Sequence, residues 1–293
     1  MSRIRNIPPI VLASLLCIYL VWGSTYLAIH YAVESIPPFM LVGSRCAVAG
    51  IIIFGIARAR GAPMPTRREW RNAALIGVLL LAGGTSGTAL AAPYISSSMS
   101  AIIVASAPVW NALAMGLYRE WPTRFEWFGI AIGLVGVLLL FTDGSIQANP
   151  IGIVIQLVGL GGWSLGSAFG RKLSVPAGGM GYGAELLAGG LAGFALAALR
   201  GEQITHAISA ESAIAWVYLT TIGSIIAFSA YMIVIKNLRP ALSSSYAYVN
   251  PVVAIALGVS LRGEAISPGE VAAVAIIMMG VVFMSLAKQP GHT

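Results

Sequence analysis

Charge is what this sequence has least of. Asp, Glu, Lys and Arg together make up 9% of the chain, against 58% hydrophobic residues, where an average soluble domain carries about 25% charge. A soluble fold could not cover so much apolar surface with so few ions, so lipid must be the outer solvent. Histidine is nearly absent too: the three residues stand at 30, 206 and 292. That scatter, with no HExxH run and no acidic cluster in the spans, leaves no metal site and no Ser/His/Asp set. No Walker motif occurs, so ATP is not a direct energy source. The two cysteines, Cys17 and Cys46, lie inside apolar runs at no metal-ligand spacing and read as small packing residues. No cofactor is implied.

What is present is a series of apolar runs of bilayer length. A spanning helix needs about 20 mostly apolar residues, and that window predicts helices at 9–32, 38–58, 71–92, 96–118, 126–142, 150–171, 182–200, 212–235, 240–261 and 268–287. Pro8-Pro9, Pro37-Pro38, Pro93, Pro150, Pro240 and Pro268 fall at predicted ends, whereas Pro108 and Pro251 fall inside the fourth and ninth helices. The charged Met1-Ser-Arg-Ile-Arg start precedes an apolar run too long for a cleaved signal, which makes it a retained first helix.

The net charge of +7 could suggest a nucleic-acid partner. The positive residues lie in short loops between apolar runs, however, so topology explains them and nucleic acid is excluded. With the N-terminus inside, 14 of the 17 Lys and Arg are cytoplasmic: Arg3, Arg5, Arg58, Arg60, Arg67, Arg68, Arg71, Arg119, Arg124, Arg171, Lys172, Lys236, Arg239 and Lys288. Arg200 and Arg262 are external and Arg45 lies within a span. The positive-inside rule then places both termini in the cytoplasm.

The second half repeats the first. Pro108 matches Pro251 at an offset of 143; Glu120, Glu126 and Gly136 match Glu264, Glu270 and Gly280 at 144; Trp22 matches Trp163 at 141. Five spans per half is an odd number, so residues 146–293 lie upside down relative to residues 1–145. The expected fold is all-α and integral to the membrane, ten transmembrane helices forming two inverted five-helix repeats around a central cavity, the ground plan of many secondary transporters. Each half alone would expose polar faces to lipid, so one full set of ten helices is the smallest working unit.

Trp22-Gly-Ser-Thr-Tyr26, Pro38…Arg45…Ala49-Gly50, Ala107-Pro108-Val109…Glu120…Gly136-Val137-Leu138 and Asn250-Pro251-Val252-Val253-Ala254…Glu264…Gly280-Val281-Val282 resemble the EamA-type domains of the drug/metabolite transporter superfamily. Within it, the chain is most similar to YddG-type amino-acid exporters. The resemblance covers essentially the whole chain. It implies a ten-helix bundle around a cavity and export of aromatic and other neutral amino acids or related metabolites from a bacterial cytoplasmic membrane.

Residues that could touch such a solute follow from polarity within the spans. Arg45, about two turns into the second helix, could attract a carboxylate or cap helix carbonyls. His30 reads as interfacial, and Glu185 as an acid favoured by the first turn of the seventh helix. No Asp or Glu is expected mid-span; Glu34 and Asp143 are at ends, which weighs against carboxylate-mediated proton drive and against cationic drugs as cargo. Trp22 and Trp163, set among Gly and Ser, either pack helices closely or wall a cavity; Tyr26 and Ser167 lie one turn beyond them. Trp110 also lies within a span, whereas Trp70, Trp121, Trp127 and Trp216 suit the interfacial belt.

The ninth helix carries Ser243-Ser244-Ser245-Tyr246-Ala247-Tyr248-Val249-Asn250-Pro251, the most polar stretch in any span. Pro251 frees the Ala247 carbonyl, which Asn250, a hydroxyl or the solute could meet. A polar face in lipid must look inward, so Ser244, Tyr246, Tyr248 and Asn250 are cavity candidates. Ser106, Pro108 and Asn111 offer the same chemistry in the fourth helix. Gly83-Gly84-Thr85-Ser86-Gly87-Thr88 is polar and pliable, with Thr85 a cavity candidate. Gly83, Gly84, Pro108 and Pro251 are the hinge or gate candidates. Together these describe an amphipathic pocket for a small organic solute, with rings for an apolar side chain and amides and hydroxyls for a headgroup. A sugar, a nucleoside precursor or a drug is the alternative cargo; an integral-membrane enzyme or a non-transporting membrane protein is a different class, which the duplication argues against.

Overall fold

The computed structural model describes residues 7–95, 97–139, 149–262 and 268–286. Arg3, Arg5, Asp143, Glu264, Lys288 and His292 lie outside them, as does the expected boundary between halves at 145/146. The side chains of Arg262 and Glu270 are likewise not described.

Among the described residues every regular element is helical. In chain order these are α1 (Pro9–Val33), α2 (Pro38–Ala59), α3 (Arg67–Ala91), α4 (Ser97–Val104), α5 (Ala107–Gly116), α6 (Arg124–Leu139), α7 (Pro150–Lys172), α8 (Gly179–Arg200), α9 (Ala210–Asn237), α10 (Pro240–Ser244), α11 (Tyr246–Arg262) and α12 (Pro268–Ser285). Six of them, α1, α2, α3, α7, α8 and α9, are long and apolar enough to cross a membrane. Large apolar side chains such as Leu20, Ile51, Leu113, Leu138, Val158 and Leu191 are exposed on the outside of the bundle, the surface that acyl chains would cover.

Prolines open helices where expected. Pro9, Pro38, Pro150 and Pro240 occupy the first turn, where the missing N–H has no intrahelical duty. α3 begins at Arg67, earlier than hydropathy suggests, because Thr66 and Glu69 form a reciprocal capping box. The span expected at 96–118 lapses at Ala105-Ser106. Pro108 cannot donate to Val104, so α4 ends there and the Ser106 hydroxyl donates to the Ile103 carbonyl instead at 2.7 Å. The span expected at 240–261 has a similar lapse at Ser245, while Pro251 is carried within an unbroken α11.

α2 opens behind Pro37, which has no side chain to cap with. Glu202, in the loop after α8, supplies the cap from a distance: its Oε2 accepts from Phe39 N and Met40 N, each at 3.0 Å. Glu202→Ala should therefore lower stability by about 1 kcal/mol, the usual worth of an N-cap; thermal unfolding of the purified protein should show it, and an unchanged midpoint would remove the capping role.

Small residues set the helix pairs. α2 lies against α8 so closely that a Cβ on Gly190 would sit 2.6 Å from Ala47 N, and one on Gly50 2.7 Å from Leu187 N. α6 meets α12 the same way, with a Cβ on Gly129 falling 2.6 Å from Gly280 O. α3 and α9 each contain a widened stretch with i→i+5 bonding, Val78–Thr85 and Leu219–Ala227, which start 141 residues apart. The widened stretch of α3 packs on α7 and that of α9 on α1 and α2, and both contribute to the lining of one cavity.

Candidate functional site

One end of the bundle is basic and tightly bonded. Arg171, at the end of α7, donates to Leu238 O at 2.6 Å and to the Ser243 hydroxyl. Arg239 binds Glu126 through Nε at 2.6 Å and Nη2 at 2.9 Å, and Lys172 pairs with Glu120. Asn72 of α3 donates to Ser174 O at 2.8 Å. Glu126, only 1% exposed, also accepts from Thr123 N and so caps α6.

Above this seal lies a layer of rings. Trp22 and Trp163 each stand 13 residues after the proline that opens their helix, which brings both to mid-bundle. Their centroids are 5.3 Å apart, edge to face; Tyr246 lies 4.7 Å and Tyr231 4.9 Å from Trp22. Edge-to-face stacks of this kind add about 0.5–1.5 kcal/mol per pair beyond burial. Tyr231 is held from the basic side by Ser167, at 2.5 Å, and Tyr19 bonds Ser245 at 2.6 Å. Gly84 lets α3 approach: a Cβ there would fall 2.9 Å from the Trp163 Cβ.

On the other side of the rings, away from the basic end, is a cavity of about 100 Å3. Trp22, Trp163 and Tyr246 form its floor; Tyr26, Thr85 and Gly84 line its walls with Arg45. Arg45 is 6% exposed, and its Nε is buried without a hydrogen-bond partner among the described residues. Gln156 donates from Nε2 to the Thr88 hydroxyl at 3.0 Å and leaves Oε1 unpartnered. Ser224, from the widened stretch of α9, adds a hydroxyl, and Ile29, Leu160 and Phe228 add apolar surface. The cavity thus offers one buried cation and several unsatisfied polar atoms above an aromatic floor. That combination suits a small solute with an anionic headgroup and an apolar part.

Other candidates fall elsewhere. Asn250 is buried beside the wall and donates to the Tyr26 hydroxyl at 3.2 Å, not to the Ala247 carbonyl. Ser167 lies beneath the rings. Asn111 donates to Ala107 O of its own helix, and Ser244 to Pro240 O. Tyr248 points away, donating to Ile130 O of α6 at 2.9 Å. Trp110 lies near Gly161 of α7, outside the cavity lining. Gly83 belongs to the widened stretch of α3, and Pro108 lines a groove at the basic end. Thr25 and Thr88, named in the sequence only as members of polar runs, also line the cavity, as do Gln156 and Ser224, which the sequence did not single out. The Gln156 amide, alone in an apolar run, was the available signal.

Glu185 also differs from expectation. α8 starts at Gly179, so Glu185 is nearly two turns inside it, fully buried, with neither carboxylate oxygen hydrogen-bonded among the described residues.

Comparison with known proteins agrees with this architecture. A family model described as the EamA-like transporter family matches residues 9–142 and again 150–286. An Escherichia coli K12 protein named as the uncharacterized inner membrane transporter YedA is 40% identical over 287 residues, covering 98% of this chain and 94% of its own length. A Chlamydia trachomatis protein named as an S-adenosylmethionine/S-adenosylhomocysteine transporter is 26% identical, over 89% of this chain and 84% of its own. A crystal structure at 20% identity superposes with a TM-score of 0.77, covering 94% of this chain and 96% of that one. The chain therefore belongs to the EamA-like transporter family of the drug/metabolite transporter superfamily.

Proposed function

We propose that this protein is a secondary transporter of a bacterial inner membrane that exports small organic solutes, foremost neutral and aromatic amino acids, by alternating access without ATP. Ten spans form two inverted halves, residues 1–145 and 146–293, with both termini cytoplasmic. The basic end is then the cytoplasmic end, and the cavity lies on the outer side of the ring layer. The double match of the family model supports the duplication. So do the equal positions of Trp22 and Trp163 in their helices and the widened stretches that begin 141 residues apart.

The observation that carries the reading is the cavity itself: a buried Arg45, its Nε unpartnered among the described residues, faces a floor of Trp22, Trp163 and Tyr246. Arg45 takes a carboxylate, the rings take an apolar side chain, and Thr85, Thr88 and Gln156 take the remaining polar atoms. At about 100 Å3 the space is small beside the roughly 300–1,000 Å3 of pockets for drug-sized ligands, so larger solutes require the walls to part. Wide turns in α3 and α9 are the compliant places for that movement.

A second reading, transport of S-adenosylmethionine-like solutes, is favoured by the name of the Chlamydia relative and by the same floor, since rings attract a sulfonium cation and stack on a base. Counterflow in proteoliposomes separates the two. Vesicles preloaded with a panel of unlabelled solutes should take up labelled phenylalanine without nucleotide. Exchange confined to S-adenosylmethionine would transfer the assignment to the second reading, and a strict need for ATP would overturn both.

A further inference from the structure

α8 carries a group that solute binding does not use. Glu185 is 0% exposed, and both of its carboxylate oxygens lack a hydrogen-bond partner among the described residues. It is wedged where α8 meets α3: a Cβ on Gly77 would lie 2.1 Å from the Glu185 carbonyl oxygen. Gly77 directly precedes the widened stretch of α3, whose far end, at Gly84 and Thr85, lines the cavity. The next residue, Leu186, lines the cavity itself.

Toward the basic end, Tyr182 lies one turn before Glu185, with the Lys236 ammonium of α9 5.7 Å from its ring centre. Lys236 is exposed, so Glu185 sits between the cavity wall and a water-facing cation. The helices packed on α8 are α2, α3 and α9. Their other charged groups stand apart: Arg45 at the cavity; Arg58 at the end of α2; Arg67, Arg68, Glu69 and Arg71 in the first turns of α3; Glu211 at the far end of α9. Lys236 and Tyr182 are thus the titratable groups placed on the basic-end side of Glu185.

We propose that Glu185 carries a proton through the transport cycle, so that solute flux is coupled to proton movement. The proposal rests on the transporter reading above. An ionised carboxylate with no partner is too costly to enclose in a dry membrane interior, so α3 and α8 close over the acid form. When the α3–α8 contact parts toward the basic end, the acid gives its proton to water on that face, and the carboxylate that remains is drawn to the Lys236 ammonium. Once the cavity beside Leu186 opens to the other face of the membrane, the carboxylate takes a proton from water there, so each cycle carries one proton across. One O–H bond breaks and one forms per cycle, and nothing is oxidised or reduced.

Two measurements test this, one of them independent of any solute. In infrared difference spectra of the protein in lipid between pH 6 and pH 9, solvated carboxylates, with pKa near 4, are silent. A carboxylic-acid carbonyl band should be lost as pH rises, and Glu185→Gln should lack that band while Glu185→Asp retains one. In proteoliposomes, a pH difference of one unit should drive labelled phenylalanine to as much as about tenfold accumulation for one proton per solute. Glu185→Gln should abolish accumulation yet keep counterflow exchange. A wild type without the band, a band that survives in Glu185→Gln, or accumulation that survives in it would overturn the proposal. Absence of phenylalanine exchange in wild type would instead count against the amino-acid reading, and the infrared band would still decide the proton site.

Discussion

Arg45→Gln is expected to raise the KM for amino-acid exchange by about ten- to hundredfold, while decarboxylated analogues of the same solutes change little. Hydrogen bonds to a charged group are worth about 1.5–3 kcal/mol each, and 1.4 kcal/mol is a tenfold change in affinity. The Arg45 guanidinium is desolvated already, since the residue is only 6% exposed, and its Nε has no partner among the described residues, so a carboxylate can meet that N–H without displacing another acceptor. Arg45→Lys keeps the charge but loses the planar fork, and should fall between wild type and Arg45→Gln. The measurement is initial counterflow rate against solute concentration, with the melting temperature taken in parallel. If Arg45 only holds helices together, acids and amines would be affected alike, and the loss would follow the melting temperature.

Gly190→Leu should cause the largest loss of stability. α2 and α8 touch backbone to backbone there: the first side-chain carbon alone would stand 2.6 Å from Ala47 N and 3.0 Å from Ala47 Cα and Gly43 O. No rotamer removes a clash of Cβ with main chain. Overpacking of a core costs about 1–3 kcal/mol even where side chains can adjust, so about 3 kcal/mol or more is expected here. At about 2–4 °C per kcal/mol for a protein of this size class, the unfolding midpoint should drop by roughly 10 °C. Gly190→Ala places the same Cβ and should show most of the effect. Gly55→Ala, on the same α2 but with open space around its Cβ position, should be neutral or stabilising by up to about 1 kcal/mol, because alanine favours helix over glycine. Equal behaviour of Gly190→Ala and Gly55→Ala would show that close packing of α2 on α8 does not hold the bundle.

Helix positions and the central tryptophans were legible because prolines and apolar length are strong local signals. Helix starts were less so. Hydropathy windows overlook polar caps, and α3, α6 and α9 all begin earlier than their apolar runs, behind Thr66, Thr123 and Ser209 respectively, each of which uses its side chain to satisfy a helix N–H. The widened turns of α3 and α9 leave no compositional mark beyond Gly83-Gly84 and Gly223. The cavity was legible only in part, since a helix apolar on every side gives no periodicity to separate lipid from core. Tyr246 and Tyr248 illustrate this. Two residues apart on one helix, they must face nearly opposite ways, so when Tyr246 joins the rings, Tyr248 turns to α6. Hydroxyls misled for another reason: Ser244, like Thr220 and Thr221, bonds back to its own helix carbonyls and needs no polar cavity to be satisfied.

The central claim is that one cavity opens to each face of the membrane in turn. It can be tested with a single cysteine at Thr85, on the cavity wall, after Cys17 and Cys46 are replaced. A membrane-impermeant thiol reagent would be applied to right-side-out and to inside-out vesicles, with and without a transported solute. The account predicts labelling from both faces, each slowed by the solute. Labelling from one face only, whether or not solute is present, would contradict it.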